Sequence, residues 1–137
     1  MANEATKVEL FGDHNSGDPV RYTCASGVAI AKGTILQLSD PRTAAAASSS
    51  QGIFAGIAAM SKASDDKSTS ISAWTNGIFE MVASGALTIG QIVKSDGASN
   101  YITGLAQEDA YGSFAIAIGT ALEAADAGET INVRVRI

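Results

Sequence analysis

The sequence has few of the residues that disulfide bonding, metal binding and catalysis require. Of its 137 residues, one is cysteine, one is histidine and two are proline. Because Cys24 stands alone, no disulfide can form within the chain and no thiolate cluster can hold a metal. We expect Cys24 to be a small buried apolar side chain. Aromatic residues make up only 6% of the chain, which predicts a core built mainly from Ala, Val, Ile and Leu.

Charge and long apolar runs are also scarce. Charged residues make up 17% of the chain, below the roughly 25% of an average globular domain. The net charge of −5 argues against nucleic acid as a partner, since phosphate binding depends on Lys and Arg. The N-terminus lacks the pattern of a signal peptide, and no run approaches the ~18 apolar residues of a membrane span. We therefore expect no nucleic-acid partner and no membrane.

The residues that could support chemistry do not form a convincing site. His14 lies in a polar loop, 13–18, whose oxygen ligands lack the terminal bidentate Glu of a calcium loop. Asp65 and Asp66 are adjacent on a predicted loop, where they point apart with no nucleophile nearby. The glycines match neither a dinucleotide fingerprint nor a P-loop. We predict no enzyme activity, no catalytic residue, no metal and no cofactor.

Most of the chain has the patterns of short β-strands. Val20–Cys24 alternates apolar and polar residues, and Thr130–Ile137 does so without a break. Ile53–Met60 and Phe114–Leu122 are apolar runs that are typical of strands buried on both faces. These patterns predict an all-β fold, with a short strand over Val8–Phe11 before the main body.

The segments between these strands are less regular. Asn76 and Gly77 predict a tight hairpin turn, because both residues tolerate positive φ. The segment 43–52 reads as a surface loop, with one frayed helical turn as the alternative. Short helices compete at 107–111 and at 121–128, where Gly128 would serve as a C-cap. We therefore expect at most one or two short helices.

Three elements of the sequence occur twice in the same order. The spacing between equivalent residues is 57 for Gly33 and Gly90, 63 for Gly56 and Gly119, and 60 for Ile71 and Ile131. The repeated pairs are Gly27–Leu36 with Gly85–Val93, Phe54–Ala58 with Ala117–Ala121, and Ser70–Ala73 with Thr130–Val133.

This repeat predicts a small barrel or sandwich built from two related halves. We expect an N-terminal arm and loop at 1–19 and one domain at 20–137, divided into repeats at about 20–82 and 83–137.

The second half carries motifs that resemble a known family. Gly77–Met81 contains a G-x-F-E strand, Ala83–Lys94 follows the pattern A-x-G-A-L-x-x-G-x-x-V, and Ala117–Val135 contains G-x-A-L-E-A-A-x-A-G-E-x-I-x-V. Val28–Leu36 carries a counterpart in the first half. Over residues 20–137 the chain resembles the small capsid cement, or head decoration, proteins of tailed bacteriophages.

The resemblance implies a function in binding rather than catalysis. Such proteins have a β-rich, barrel-like fold and sit as homotrimers at threefold positions on the outer capsid surface, in contact with the major capsid protein. We expect this protein to stabilise an assembled phage head in that way, as part of the virion. Another self-assembling virion protein, such as a tail-tube or spike component, and a cell-surface or carbohydrate-binding module remain as alternatives.

Six residues are candidates for contact with the capsid or with a second subunit. Trp74 beside the predicted hairpin is a candidate contact because aromatic residues are enriched at interface hot spots, with core packing as the alternative. Arg134 and Arg136 share one face of the last strand and could pair with carboxylates of a neighbouring subunit. The arm supplies Val8, Leu10 and Phe11, which lie outside the part of the sequence that matches the family.

Overall fold

The computed structural model of the protein describes residues 3–9, 19–105 and 113–136. In these ranges it contains eleven short strands and one helical turn, which confirms the predicted all-β class. The strands are β1 (Thr6–Glu9), β2 (Val20–Thr23), β3 (Ile35–Asp40), β4 (Thr43–Ala46), β5 (Phe54–Ala58), β6 (Ser70–Trp74), β7 (Asn76–Val82), β8 (Ile92–Ser95), β9 (Ile102–Gly104), β10 (Ala117–Ala121) and β11 (Thr130–Arg136), and the helical turn is α1 (Ser113–Ile116).

The first half of the chain forms a closed five-stranded barrel. Its strand order is β2-β4-β3-β5-β6, and a parallel contact between Thr23 and Thr43 closes it. Mainly aliphatic side chains fill this narrow barrel, as the low aromatic content predicts. Its interior residues are Cys24, Ile30, Leu36, Ala44, Ala55, Ala58, Ile71 and Ala73.

The second half repeats this topology. Its sheet has the order β1-β7-β11-β10-β8-β9, so that β7 to β11 pair with one another as β2 to β6 do. A single parallel bridge between Ala83 and Ile102 connects the end of β7 to β9, at the place where β2 meets β4 in the first barrel. We call the strands β7 to β11, joined by this bridge, the second barrel. The added strand is β1, which pairs with β7. Two related halves therefore make up the fold, as the repeat predicts.

The equivalence of the halves extends to single residues. Gly33 and Gly90 adopt φ of +91° and +84°, and each donates its N–H over 2.8 Å to the carbonyl of the last residue of β5 or β10. The pairing of β3 with β5 and that of β8 with β10 both shift register next to the equivalent glycines, Gly56 and Gly119. Equivalent residues thus have the spacings that the sequence predicts.

The prediction of a hairpin turn at Asn76 and Gly77 is wrong. Thr75 alone connects β6 to β7, but β6 pairs with β2 and β5 whereas β7 pairs with β1 and β11. The chain passes here from one barrel to the other, because each strand finds its partners within its own half. We propose Thr75 as the division between the halves, instead of the expected division at 82/83. The separation of an arm at 1–19 from a domain at 20–137 stays a prediction.

Two further local expectations also need correction. Part of the segment 43–52 is strand β4, which pairs with β3, and not a surface loop. The buried strand expected over 114–122 starts later, at Ala117, after the helical turn α1. Residues 122–128 form bends and a turn that ends at Gly128, with φ +85°, instead of a helix. The helix considered at 107–111 falls outside the described residues.

The two barrels meet through the outside of the first. We define the first outer face as Gly33, Ile35, Ile57, Ala59 and Trp74. Ile35, Ile57 and Trp74 belong to the same buried cluster as the interior of the second barrel, and Ala59 packs against it. The Trp74 ring lies 5.5 Å from the Phe79 ring of β7, with the two planes tilted by 42°. The second barrel therefore closes its core against the first.

Asn100, which precedes β9, satisfies the polar groups at this junction. Its Oδ1 accepts a hydrogen bond from the Ile35 N–H at 2.7 Å. Its Nδ2 donates to the carbonyls of Gly33 at 3.0 Å and Asn3 at 2.9 Å. Since Asn100 is only 6% exposed, these bonds replace the water that the backbone groups lose on burial.

The arm crosses the junction at Gly33. The Ala5 N–H donates to the Gly33 carbonyl at 2.8 Å, and a Cβ added at Gly33 would collide with the Ala5 backbone. At Gly90, the equivalent residue in the second half, an added Cβ would meet nothing within 4 Å. Glycine is therefore favoured at position 33 by its positive φ and by the close approach of Ala5. At position 90 it is favoured by its positive φ alone.

We expect Asn100→Gly to destabilise the protein. Glycine keeps the positive φ of +62° but leaves the Ile35 N–H without its acceptor, which costs about 1–3 kcal/mol of unfolding free energy. Ser99→Gly is the matched control, because Ser99 also has positive φ, at +51°, and its carbonyl keeps its bond from Asn3. Urea unfolding measures both variants, and equal losses would contradict the role of the Asn100 side chain.

A second pair of variants tests the packing of the arm. Gly90→Ala should cost about 1–2 kcal/mol, the penalty of a left-handed conformation for an L-residue. Gly33→Ala should cost about 1–3 kcal/mol more, because the Ala5 backbone has to move. Thermal or urea unfolding compares the two. If both variants lost the same stability, Ala5 would not be packed against Gly33.

Candidate functional site

The described residues that were considered for chemistry do not form a site. Among the described residues, no group of three His, Cys, Asp or Glu is placed to hold a metal ion. Asp65 and Asp66 are exposed, and an Asp66 carboxylate oxygen accepts the Ser68 N–H at 2.8 Å, so that it stabilises a turn. His14 and the loop 13–18 lie outside the described residues. In the same described ranges, no helix has the length and apolar character to cross a membrane.

One buried charged residue, Lys62, was not predicted from the sequence. This residue is 4% exposed, and its Nζ donates to the carbonyls of Ala25 at 3.1 Å and Val28 at 3.0 Å. It borders an open cavity of about 320 Å³, and four of the eight residues that line this cavity are alanines. The ammonium group therefore fixes a loop at the mouth of the first barrel. No local pattern distinguishes it from the exposed Lys67.

Trp74 lies beneath the arm. The Nζ atoms of Lys7 and Lys32 are each 5.5 Å from the centre of its ring, a cation–π distance. An open cleft of about 340 Å³ passes between the arm and these side chains. Because the indole is only 6% exposed and packs on Phe79, the structure favours core packing among the two roles considered for it.

The arm places Val8 at the edge of the second barrel. Lys7 and Glu9 pair with neighbouring residues of β7, so that Val8 lies in a β-bulge. Its side chain is 48% exposed, and β1 is the edge strand of its sheet. Leu10 and Phe11, the other two candidates from the arm, are outside the described residues.

The two arginines lie on β11. Arg134 is half-buried and stands between Ile78 on β7 and Thr120 on β10 in the register of the sheet. For Arg136 the structure describes the backbone, which pairs with Asn76. Arg134 is equivalent to Trp74 of the first half. Arg134 pairs with Thr120 and Trp74 pairs with Ile57, and these two partners are themselves equivalent.

The most distinctive surface is one that the sequence analysis did not single out. We define the second outer face as the five residues equivalent to the first outer face, namely Gly90, Ile92, Thr120, Leu122 and Arg134. Ile92 is 47% and Leu122 39% exposed, and the neighbouring Ile89 is 73% exposed. A comparison of the two repeats residue by residue would have identified this face. It offers apolar contact area around one arginine, which suits binding to a protein and provides no reactive group.

Comparison with known proteins agrees with this geometry. The sequence profile of the phage cement protein family matches residues 14–137. No curated protein sequence gives a significant match. The fold is similar to the crystal structure of the head fiber gp8.5 N base in bacteriophage phi29, with a TM-score of 0.56, 13% identity, and coverage of 85% of this chain and 93% of that one. Because the profile spans nearly the whole chain, the protein belongs to the phage cement protein family and is a capsid-associated structural protein of a bacteriophage.

Proposed function

We propose that the protein is a capsid decoration protein, which binds the outer surface of an assembled phage head as a homotrimer and stabilises it. Its partners are the major capsid protein and further copies of itself. Membership of the phage cement protein family is the observation that carries this proposal.

The properties of the described residues support a role through shape. The two barrels share one buried cluster, and Asn100 joins them through two hydrogen bonds and binds the arm through a third, so that the three parts form one block. Such a block loses little conformational entropy when it binds, which favours affinity. Its exposed candidate contacts are the bulge at Val8 and the second outer face, and both are surfaces for another protein.

The proposed mechanism is binding to the assembled shell alone. A ligand that binds only one state stabilises that state by mass action, by about 2.7 kcal/mol at a free concentration of 100 times Kd. A trimer that contacts several capsid subunits adds avidity, because it must lose all of its contacts before those subunits separate. Internal pressure or heat then has to disrupt the decoration as well as the shell.

We assign the candidate residues to two roles within this proposal. Val8, together with Leu10 and Phe11, contacts the capsid, and Arg134 and Arg136 contact the neighbouring subunit. Trp74 holds the two barrels and the arm together.

Purified protein should bind expanded heads that lack it, and the decorated heads should release their DNA at a higher temperature than bare heads. Co-sedimentation measures the binding, and dye access to DNA during heating measures the release. The proposal is wrong if the protein stays in the supernatant at saturating concentration, or if decorated and bare heads release DNA at the same temperature.

Val8→Glu should weaken capsid binding about tenfold, which corresponds to about 1.4 kcal/mol, because it places a charge in an apolar contact. Val28→Glu is the control, since Val28 is equally exposed, at 50%, but lies outside the arm and both outer faces. Substitution is preferable to deletion of the arm, because Asn3 and Ala5 are bonded to the body of the protein. Equal affinities of the two variants, at unchanged oligomeric mass, would remove Val8 from the capsid contact.

A further inference from the structure

The contact between the two halves uses different surfaces of equivalent barrels. The first barrel contributes the first outer face. The second contributes Phe79 and Asn100, which we call the second receiving surface. Because the two halves share one topology, each half has both kinds of surface. The contact within the chain uses the outer face of the first barrel and the receiving surface of the second. The outer face of the second barrel and the receiving surface of the first remain unused.

The unused outer face is the second one. Its residues are more exposed than the equivalent residues of the first outer face. Ile35 is 1% exposed against 47% for the equivalent Ile92. Gly33 is buried beneath Ala5, whereas Gly90 is exposed with open space above it. These differences arise from what packs on each face, since the backbone bonds of the two faces match.

The unused receiving surface lies on the first barrel. Val20 is equivalent to Phe79, because both pair with the corresponding residue of the last strand of their half, Ala73 or Val133. Phe79 is fully buried, whereas Val20 is 37% exposed. We define the first receiving surface as Val20 and Arg42.

Arg42 corresponds to Asn100. Ala44 pairs with Leu38 in the first half, and Ile102 pairs with Ser95 at the same place in the second half. Arg42 and Asn100 each lie two residues before these equivalent residues, Ala44 and Ile102. Both have positive φ, at +48° for Arg42 and +62° for Asn100. Arg42 is exposed, and its Nε donates to the Arg21 carbonyl at 3.2 Å. The guanidinium has four further N–H donors.

The residues that differ between the two outer faces are typical of a contact between subunits. Thr120 and Arg134 stand where the first outer face has Ile57 and Trp74, so that the second face is more polar than a folded core. Interfaces between subunits have that character, and arginine is enriched in them. Arg42 can donate to the Gly90 carbonyl of another copy, as Asn100 donates to that of Gly33 within the chain.

We propose that a second copy of this chain docks its first receiving surface on the second outer face, and so repeats between chains the contact that joins the two barrels within one. The contact is heterologous, and such contacts form a closed ring when the rotation between partners allows it. Three chains would then give a ring of alternating first and second barrels. This inference rests on the self-association part of the proposed function and not on capsid binding.

Variants on the two surfaces test the proposal. Ile92→Glu with Leu122→Glu charges the outer face, and Val20→Glu with Arg42→Glu changes the receiving surface. Each pair should raise the concentration at which the oligomer dissociates by about 100-fold or more, since two contact residues are lost at once. Val28→Glu, outside both surfaces, should keep the wild-type mass. Analytical ultracentrifugation gives the masses, and circular dichroism with thermal unfolding verifies that each variant is folded.

Mixing the two double variants distinguishes this contact from a symmetric one. Each variant keeps the surface that the other has lost, so a one-to-one mixture has one intact contact and should form a dimer of the two variants. Neither variant alone should dimerise. A symmetric contact that uses one patch on both copies would give no such dimer.

The outcomes separate this inference from the proposed function. A wild-type oligomer that both double variants leave intact, or a mixture that stays monomeric, overturns the inference while the trimer stands. Wild-type protein that is monomeric up to millimolar concentration overturns the inference and the proposed trimer together. The co-sedimentation experiment with heads decides capsid binding in each case.

Discussion

The burial of one barrel's outer face in the core of the other is the constraint on which this structure depends. Ile35, Ile57 and Trp74 leave water only because the second barrel covers them. That burial would leave the Ile35 N–H without an acceptor, and an unpaired buried backbone group costs about 1–3 kcal/mol. Asn100 bonds to this N–H, to the Gly33 carbonyl and to the arm. The two barrels therefore behave as one block, and the arm is part of it.

The repeat made much of the topology predictable. Gly33 and Gly90 have a backbone geometry that disfavours other residues, so the spacing between them shows where the same turn occurs twice. Strand β4 was missed because its small residues have no pattern, and its pairing with β3 decides its structure. Asn76 and Gly77 carry a local turn signal, but the partners of β6 and β7 lie in different barrels. Asn100 and Lys62 are single polar residues whose burial only the fold creates.

The candidate contacts were less predictable than the fold, for a physical reason. Ile35 and Ile92 are the same residue at equivalent positions, yet one is buried and the other half exposed. Which element packs on a strand depends on the tertiary structure, and the sequence of the strand alone does not predict it. Trp74 illustrates the same limit, since a lone tryptophan suits a hot spot and a core equally well. Its burial beneath the arm, with Lys7 and Lys32 over the ring, favours core packing.

A duplicated scaffold of this kind suits a protein that acts by binding. Duplication gives two outer faces and two receiving surfaces, and the contact within the chain leaves one of each exposed. The most direct test of this account is an electron cryomicroscopy reconstruction of phage heads decorated with the protein. The account predicts threefold density on the outer surface, with first and second barrels alternating around the axis. Density inside the shell, or isolated single chains without contact between them, would contradict it.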